Sequence, residues 1–265
     1  MAKLRRSDTP IWVTVVQVVV VLLLLLGMEL AVANGWISRI FMASPSQIYK
    51  ELIYTLQQDQ LWPHLSISLQ EVVVGYVISA IVGVGIGVLF VSFPLFEKLF
   101  DPFVAAIMAV PKTAIMPLLI VWFGIGFKSK VILVVLFCVF IILYNTVTGA
   151  KQARIEHMKV AYVFQANRMQ IVFKVLLPSA LPSIFNGLRV TAATAITGVV
   201  FAEMAAAKNG LGFLLNESQI VLNTPRLYLV IIIVTVLSVL FVGLVNLVER
   251  ITCRRWMVGL NQKNK

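Results

Sequence analysis

Glu29, Lys112, Arg189 and Glu203 stand within long apolar stretches of the sequence, where an ionised side chain is costly unless it is paired or put to use. Each offers a different chemistry. Lys112, set between Pro111 and Pro117, could meet an anionic solute; the competing reading is that its ammonium snorkels to the headgroups from a broken helix. Glu203, in FAEMAAAKNG, could gate a polar path or form a structural ion pair with Lys208 near a helix end. Arg189, in NGLRV, would anchor its helix at an inner mouth or brace the loop that precedes it. Glu29 is a lone acid that suggests no role of its own.

Other reactive residue types are present without the spacing that chemistry demands. His64 and His157 have no carboxylate or cysteine partners at metal-ligand intervals. Cys138 lies in an apolar run and Cys253 in a basic tail, which is neither a disulfide framework nor a metal site. GVGIG, residues 83–87, superficially matches a phosphate loop but lacks the preceding strand and sits in apolar sequence, so it reads as a place where two helices approach closely. No G-x-x-x-x-G-K-[ST] motif occurs. With no nucleophile, acid–base pair or metal set clustered near an interface, a membrane enzyme has nothing to work with.

The elements that position these residues follow from composition. Of 265 residues, 60% are hydrophobic and 12% charged, with a mean hydropathy of +0.96, far beyond globular averages. The expected class is an all-α integral membrane protein, a single transmembrane domain over 1–265, whose unit is a span of roughly 20 apolar residues. Six spans are predicted: 11–33, 72–92, 103–123, 131–148, 184–206 and 229–248. The first competes with a cleaved signal peptide, since Ala31-Val32-Ala33 resembles a cleavage site, but the stretch is long for a signal and Glu29 intrudes. Residues 34–68 read as an interfacial segment with a short amphipathic helix. Pro111 and Pro117 should kink or break the third span, because each removes a backbone donor and clashes with the preceding turn.

The net charge of +11 is distributed in short clusters between apolar runs, which argues for membrane orientation and against nucleic-acid binding. With both termini cytoplasmic, fourteen basic residues fall inside: Lys3, Arg5, Arg6, Lys98, Lys151, Arg154, Lys159, Arg168, Lys174, Arg250, Arg254, Arg255, Lys263 and Lys265. Six fall outside, namely Arg39, Lys50, Lys128, Lys130, Lys208 and Arg226. The bias places the loop of residues 150–182 in the cytoplasm.

That loop is polar and basic. Met169, Val172, Phe173, Leu176 and Leu177 recur at helical spacing while Asn167, Arg168, Gln170 and Lys174 take the opposite face. A second helical piece, about Ile155 to Phe164, precedes it, with QANR as the turn between them; Pro178 and Pro182 are expected to stop the helix before the fifth span. Pattern alone leaves open whether this helical pair rests on headgroups or on another protein.

The stretch resembles the EAA loop of the transmembrane subunits of bacterial ABC importers, whose consensus runs E-A-A, three residues, G, nine residues, I, one residue, L-P. Leu177-Pro178 aligns with its end, Val175 with the isoleucine, Gln165 with the glycine, Ala161 with the second alanine, and Lys159 and Val160 with the first two positions. VPKTAIMPLLIVWFGIGFKSK, LPSALPSIFNGLRV and FAEMAAAKNGLGFLL, with SPSQIYKEL and LWPHLSISLQEVVVGY, are similar to the nitrate, sulfonate and taurine branch of these permeases across nearly the whole chain. The resemblance implies a type I importer fold in the bacterial cytoplasmic (inner) membrane, with a coupling helix in the loop between spans four and five. The implied function is a translocation path for a small anionic or heteroaromatic solute of the sulfonate, nitrate, taurine, aromatic-acid or thiamine-precursor class. Lys159, Val160, Ala161, Phe164, Gln165, Ala166, Asn167, Arg168, Leu177 and Pro178 would dock on a cytoplasmic ATPase, and Lys112, Glu203 and Arg189 would lie along the path. Partners would be two ATPase subunits, a second permease copy in a homodimer and an extracytoplasmic binding protein, with ATP and magnesium held by the ATPase and no cofactor or metal by this chain. Lys159 and Gln165 depart from the consensus by making an acidic contact basic and a glycine turn bulky. The alternative is a secondary transporter acting without an ATPase, which usually shows repeated halves that are not apparent here.

Overall fold

The computed structural model describes residues 11–59 and 61–261. Lys3, Arg5, Arg6, Lys263 and Lys265 of the orientation argument lie outside these residues, as do the side chains of Arg254 and Arg255. All regular structure among the described residues is helical: α1 (Ile11–Ala33), α2 (Pro45–Gln57), α3 (Leu61–Ser92), α4 (Pro94–Ala109), α5 (Met116–Phe123), α6 (Phe127–Lys151), α7 (Ile155–Val163), α8 (Arg168–Ile171), α9 (Leu177–Ala206), α10 (Leu211–Ile220) and α11 (Thr224–Asn261). Among the described residues five helices are long and apolar enough to cross a bilayer, and the number is six if the bent pair Pro94–Ala109 with Lys112–Phe123 is one broken span. The chain divides into two compact units, Met1–Leu61 with Leu215–Ile232 and Trp62–Leu214 with Ile233–Lys265.

In the first unit, α1 is apolar all round and exposes Leu22, Leu23, Leu24 and Leu26, as a helix sheathed in lipid should. The amphipathic α2 starts at a capping box in which Ser44 and Gln47 exchange hydrogen bonds, with Pro45 in the first turn. Glu29 accepts from the Ser46 amide (3.0 Å) and hydroxyl (2.7 Å), so the lone acid of α1 clasps the positive end of α2.

In the second unit, α3 begins at Leu61, eleven residues ahead of its apolar run, so residues 61–68 belong to the spanning helix and not to an interfacial segment. Its 32 residues reach about 48 Å, more than a bilayer core requires. Small residues at every fourth position let α3 lie against α6. A Cβ on Gly83 would stand 2.7 Å from the Val139 carbonyl and 2.9 Å from Ile142 Cβ, and one on Gly87 would stand 2.6 Å from Thr146 Cβ. GVGIG is therefore a packing motif. Gly85, on the opposite side, has nothing within 4 Å.

The third apolar segment is broken. α4 ends at Ala109, a 3₁₀ turn covers Lys112–Ile115, and α5 leaves at 84° to α4. Pro111, which lacks an amide donor, stands at the break, while Pro117 lies in the first turn of α5, where proline is tolerated. α4 buries none of its residues, yet Tyr144 donates to Asp101 (2.8 Å) and Lys151 pairs with Glu97, tying α4 to α6. The core joins Val72 and Tyr76 of α3, Val134, Cys138 and Ile142 of α6, Ala192 to Val199 of α9, and Phe241 and Val245 of α11.

Pro178 and Pro182 do not stop the helix, contrary to expectation. A continuous helical course runs from Arg168 to Ala206. Val172–Leu176 widens into a π turn, where the Leu177 amide reaches back to the Val172 carbonyl, and the Ser179 hydroxyl donates to the Val175 carbonyl at 2.7 Å. The widened turn makes room for Pro178, and the Ser179 hydroxyl bonds back one turn, to i−4. The pattern from Met169 to Leu177 is thus the entry to the fifth crossing, with Val172 buried, and not a separate surface helix.

Candidate functional site

The loop between the fourth and fifth crossings folds as helix, turn, helix. α7 ends in a Schellman arrangement: the Ala166 amide donates to the Ala161 carbonyl (3.0 Å) and the Gln165 amide to the Tyr162 carbonyl (2.9 Å). Gln165 stands at φ +51°, a left-handed conformation that usually selects glycine. QANR is therefore the turn its composition suggests, and the consensus glycine position keeps its backbone shape here with a larger side chain. Asn167 then caps α8, exchanging hydrogen bonds with Gln170 at 2.8 and 2.9 Å.

This framework holds apolar side chains in the open. Val163 and Phe164 are 80% and 81% exposed, with Val160 and Tyr162 beside them, while Ala161 turns inward. Lys159, Gln165, Asn167 and Arg168 are exposed around them. The Arg168 guanidinium lies 5.6 Å from the centre of the Phe93 ring, which fastens the loop to the corner between α3 and α4. Between α7 and the start of α9 lies an open groove of about 740 Å³ that includes Val160, Ala161, Phe164, Ala166 and Pro178. His157, Gln170 and Lys174 also line it; nothing in the sequence pattern singles them out as a group, since they come from both sides of the turn.

The charged positions in the apolar runs resolve differently. Lys112 turns back toward the last turn of α4, its Nζ 3.4 Å from the Met108 carbonyl, where a cation meets the negative end of a helix. Arg189 pairs with Glu249 and so joins α9 to α11, without bracing the loop. Glu203 does not pair with Lys208. It accepts from the Ser68 hydroxyl (2.6 Å) and the Gly212 amide (2.7 Å), while Ser68 in turn accepts from the Leu211 amide (2.8 Å). Close by, Lys130 Nζ donates to Glu71 at 2.8 Å, a buried ion pair between α3 and α6. Sequence reasoning counted Lys130 among loop cations and passed over Glu71; the available signal was an acid inside an apolar stretch and a lysine at the start of another.

His64 is likewise structural: its Nδ1 accepts from the Gly210 amide at 2.9 Å, and its ring stacks on Phe213. Among the described residues no group of three or more histidine, cysteine or acidic side chains is placed to hold a metal ion.

Five long apolar helices and one broken crossing, with an exposed helix–turn–helix ahead of the fifth, define a membrane subunit of the permease type. The chain belongs to the family of binding-protein-dependent transport system inner membrane components, whose family model matches residues 75–252. It is a multi-pass inner-membrane protein and an ABC transporter permease. It is 30% identical to the taurine transport system permease TauC of Escherichia coli (strain K12) over 223 residues, covering 82% of this chain and 81% of TauC. It is 32% identical to the aliphatic sulfonates transport permease SsuC of Bacillus subtilis (strain 168), covering 82% and 78%. A solved chain of the MetNI methionine ABC transporter in an inward-facing conformation shares the fold, with TM-score 0.60 and 22% identity over 76% of this chain and 97% of that one.

Proposed function

We propose that this chain lines one half of the translocation path of an ATP-driven importer and converts the movement of a separate cytoplasmic ATPase into opening and closing of that path. The observation that carries the reading is the exposed apolar corner of Tyr162, Val163 and Phe164, held on a fixed turn and surrounded by Lys159 and Arg168. A helix resting on lipid would carry its apolar residues as a stripe along one side. Here they gather at one end of α7, where a groove on a partner would receive them.

In this reading both termini and residues 150–182 face the cytoplasm, and two copies of the chain associate with two ATPases that bind the ATP and magnesium. A binding protein delivers solute on the other side. The path follows the broken third crossing, where α4 leaves its side chains unburied and Lys112 marks the bend. Glu203 and Arg189 are spent on packing, and the path reading is not extended to them. The solute is small and anionic or heteroaromatic, in the sulfonate, nitrate, taurine, aromatic-acid or thiamine-precursor range. The names of the taurine and sulfonate relatives favour the sulfonate end.

Inserting two residues between Ala166 and Met169 tests the docking role, because it shifts α7 relative to α8 and leaves the crossings untouched. The insertion should abolish uptake into vesicles and co-purification of the ATPase while the chain stays in the membrane. Wild-type uptake with the ATPase still bound would refute the reading.

A further inference from the structure

Two carboxylates and one ammonium are enclosed together where α3, α6 and α9 meet the α9–α10 turn. Glu71 and Glu203 are each 1% exposed and Lys130 is 5% exposed. Lys130 serves only one Glu71 oxygen; the other, Oε2, is buried and accepts no hydrogen bond among the described residues. Glu71 stands three residues after Ser68 on α3, and Ser68 donates to Glu203, so the two acids share one α3–α9 contact. Glu203 has the Ser68 hydroxyl and the Gly212 amide as donors, both neutral. His64, Lys128 and Lys208 are further titratable groups at this end; His64 is held by Gly210, Lys128 is exposed at the start of α6, and Lys208 is exposed at the rim of a recess of about 490 Å³ beside Glu71 and Lys130.

Fully ionised, the cluster would bury two negative charges against one positive, with one carboxylate oxygen left without a donor. Both features are unfavourable away from water. We propose that Glu71 and Glu203 hold one proton between them, so that Glu71, Glu203 and Lys130 form a neutral network that fixes the Gly210–Gly212 turn to α3. The proton supplies the missing donor and cancels the surplus charge. These are positioning residues: through Ser68 and Gly212 the network sets the edge of the recess. Under the orientation proposed above, which this consequence alone depends on, that recess faces the binding protein.

Charge counting gives the test. Glu71→Gln keeps an oxygen for Lys130 and places an amide N–H where the shared proton stood; Glu203→Gln does the equivalent from the other side. Each single variant leaves one acid against one ammonium. In detergent, the full-length E71Q and E203Q chains should therefore unfold within a few degrees of wild type. The double variant, which strands the lysine, should drop by about 10 °C. Adding Lys130→Met to the double variant should recover most of that loss. Infrared spectra at neutral pH should show a protonated-carboxyl C=O band in wild type that is absent from both single variants.

A wild-type spectrum without that band would mean that both acids are ionised, and single variants as unstable as the double one would mean that charge balance does not hold the cluster; either result would overturn the proposal. Uptake measured in parallel with ATPase present separates the two ideas. Absence of ATP-dependent uptake by wild type would count against the transport reading and leave the proton unaffected. A double variant that retains the ATPase should lose uptake more than tenfold; full uptake would overturn the positioning role.

Discussion

The long helical course from Arg168 to Ala206 carries opposite chemistry at its two ends. At its start, Val163 and Phe164 of the adjoining turn stand exposed, against the usual fate of large apolar side chains. At its finish, Glu203 is buried beside a second acid and a lysine, against the usual fate of charge. The buried end draws its countercharge and all but one of its donors from the chain itself, from α3, α6 and the α9–α10 turn. The exposed end is, in the function proposed above, the surface that a partner covers. An internal polar cluster sets shape; an open apolar corner sets association.

The largest effect should come from breaking the buried end. Lys130→Met removes the only cation of the cluster and should cost about 3–5 kcal/mol, seen as a fall of about 10 °C in the unfolding midpoint. An unchanged midpoint would show that the ion pair is not a structural element. Filling the α3–α6 contact comes next. Gly83→Val should destabilise by about 1–3 kcal/mol, because the Val139 carbonyl and Ile142 leave no room for its Cβ. Gly85→Ala, facing open space, should be neutral or slightly stabilising. Equal responses at the two glycines would contradict the packing described for α3.

The exposed end should answer in binding and not in stability. Phe164→Ser should weaken ATPase association about tenfold, or about 1.4 kcal/mol, with the unfolding midpoint unmoved because the ring is already in the open; a large loss of stability would place that ring in the core. The smallest effect is expected at Gln165. Gln165→Gly relieves a left-handed residue but loosens the unfolded chain, so the gain should be well under about 1 kcal/mol. Chemical denaturation can measure it, and a marked loss would mean that the Gln165 side chain makes contacts of its own.

Much of this was legible from local sequence. QANR announced a turn, and the turn is where Gln165 takes its positive φ. GVGIG announced close packing, and two of its three glycines provide it. Pro111 announced a break, which opens to 84°. Local rules failed at Pro178 and Pro182, where a π turn absorbed what a regular helix could not. They failed again at Leu61, where helix continued beyond the apolar stretch because a spanning helix need not end where its oily residues do.

The sequence by itself determined the class, the crossings and the turn. Bilayer thickness and backbone hydrogen bonding act on neighbouring residues and leave a short-range pattern. Only the tertiary structure decided who pairs with whom: Lys130 with Glu71 across 59 positions, Arg189 with Glu249 across 60, and Ser68 with Glu203 across 135. A buried charge takes whichever complement the packed helices bring within about 3 Å, and no spacing along the chain encodes that distance.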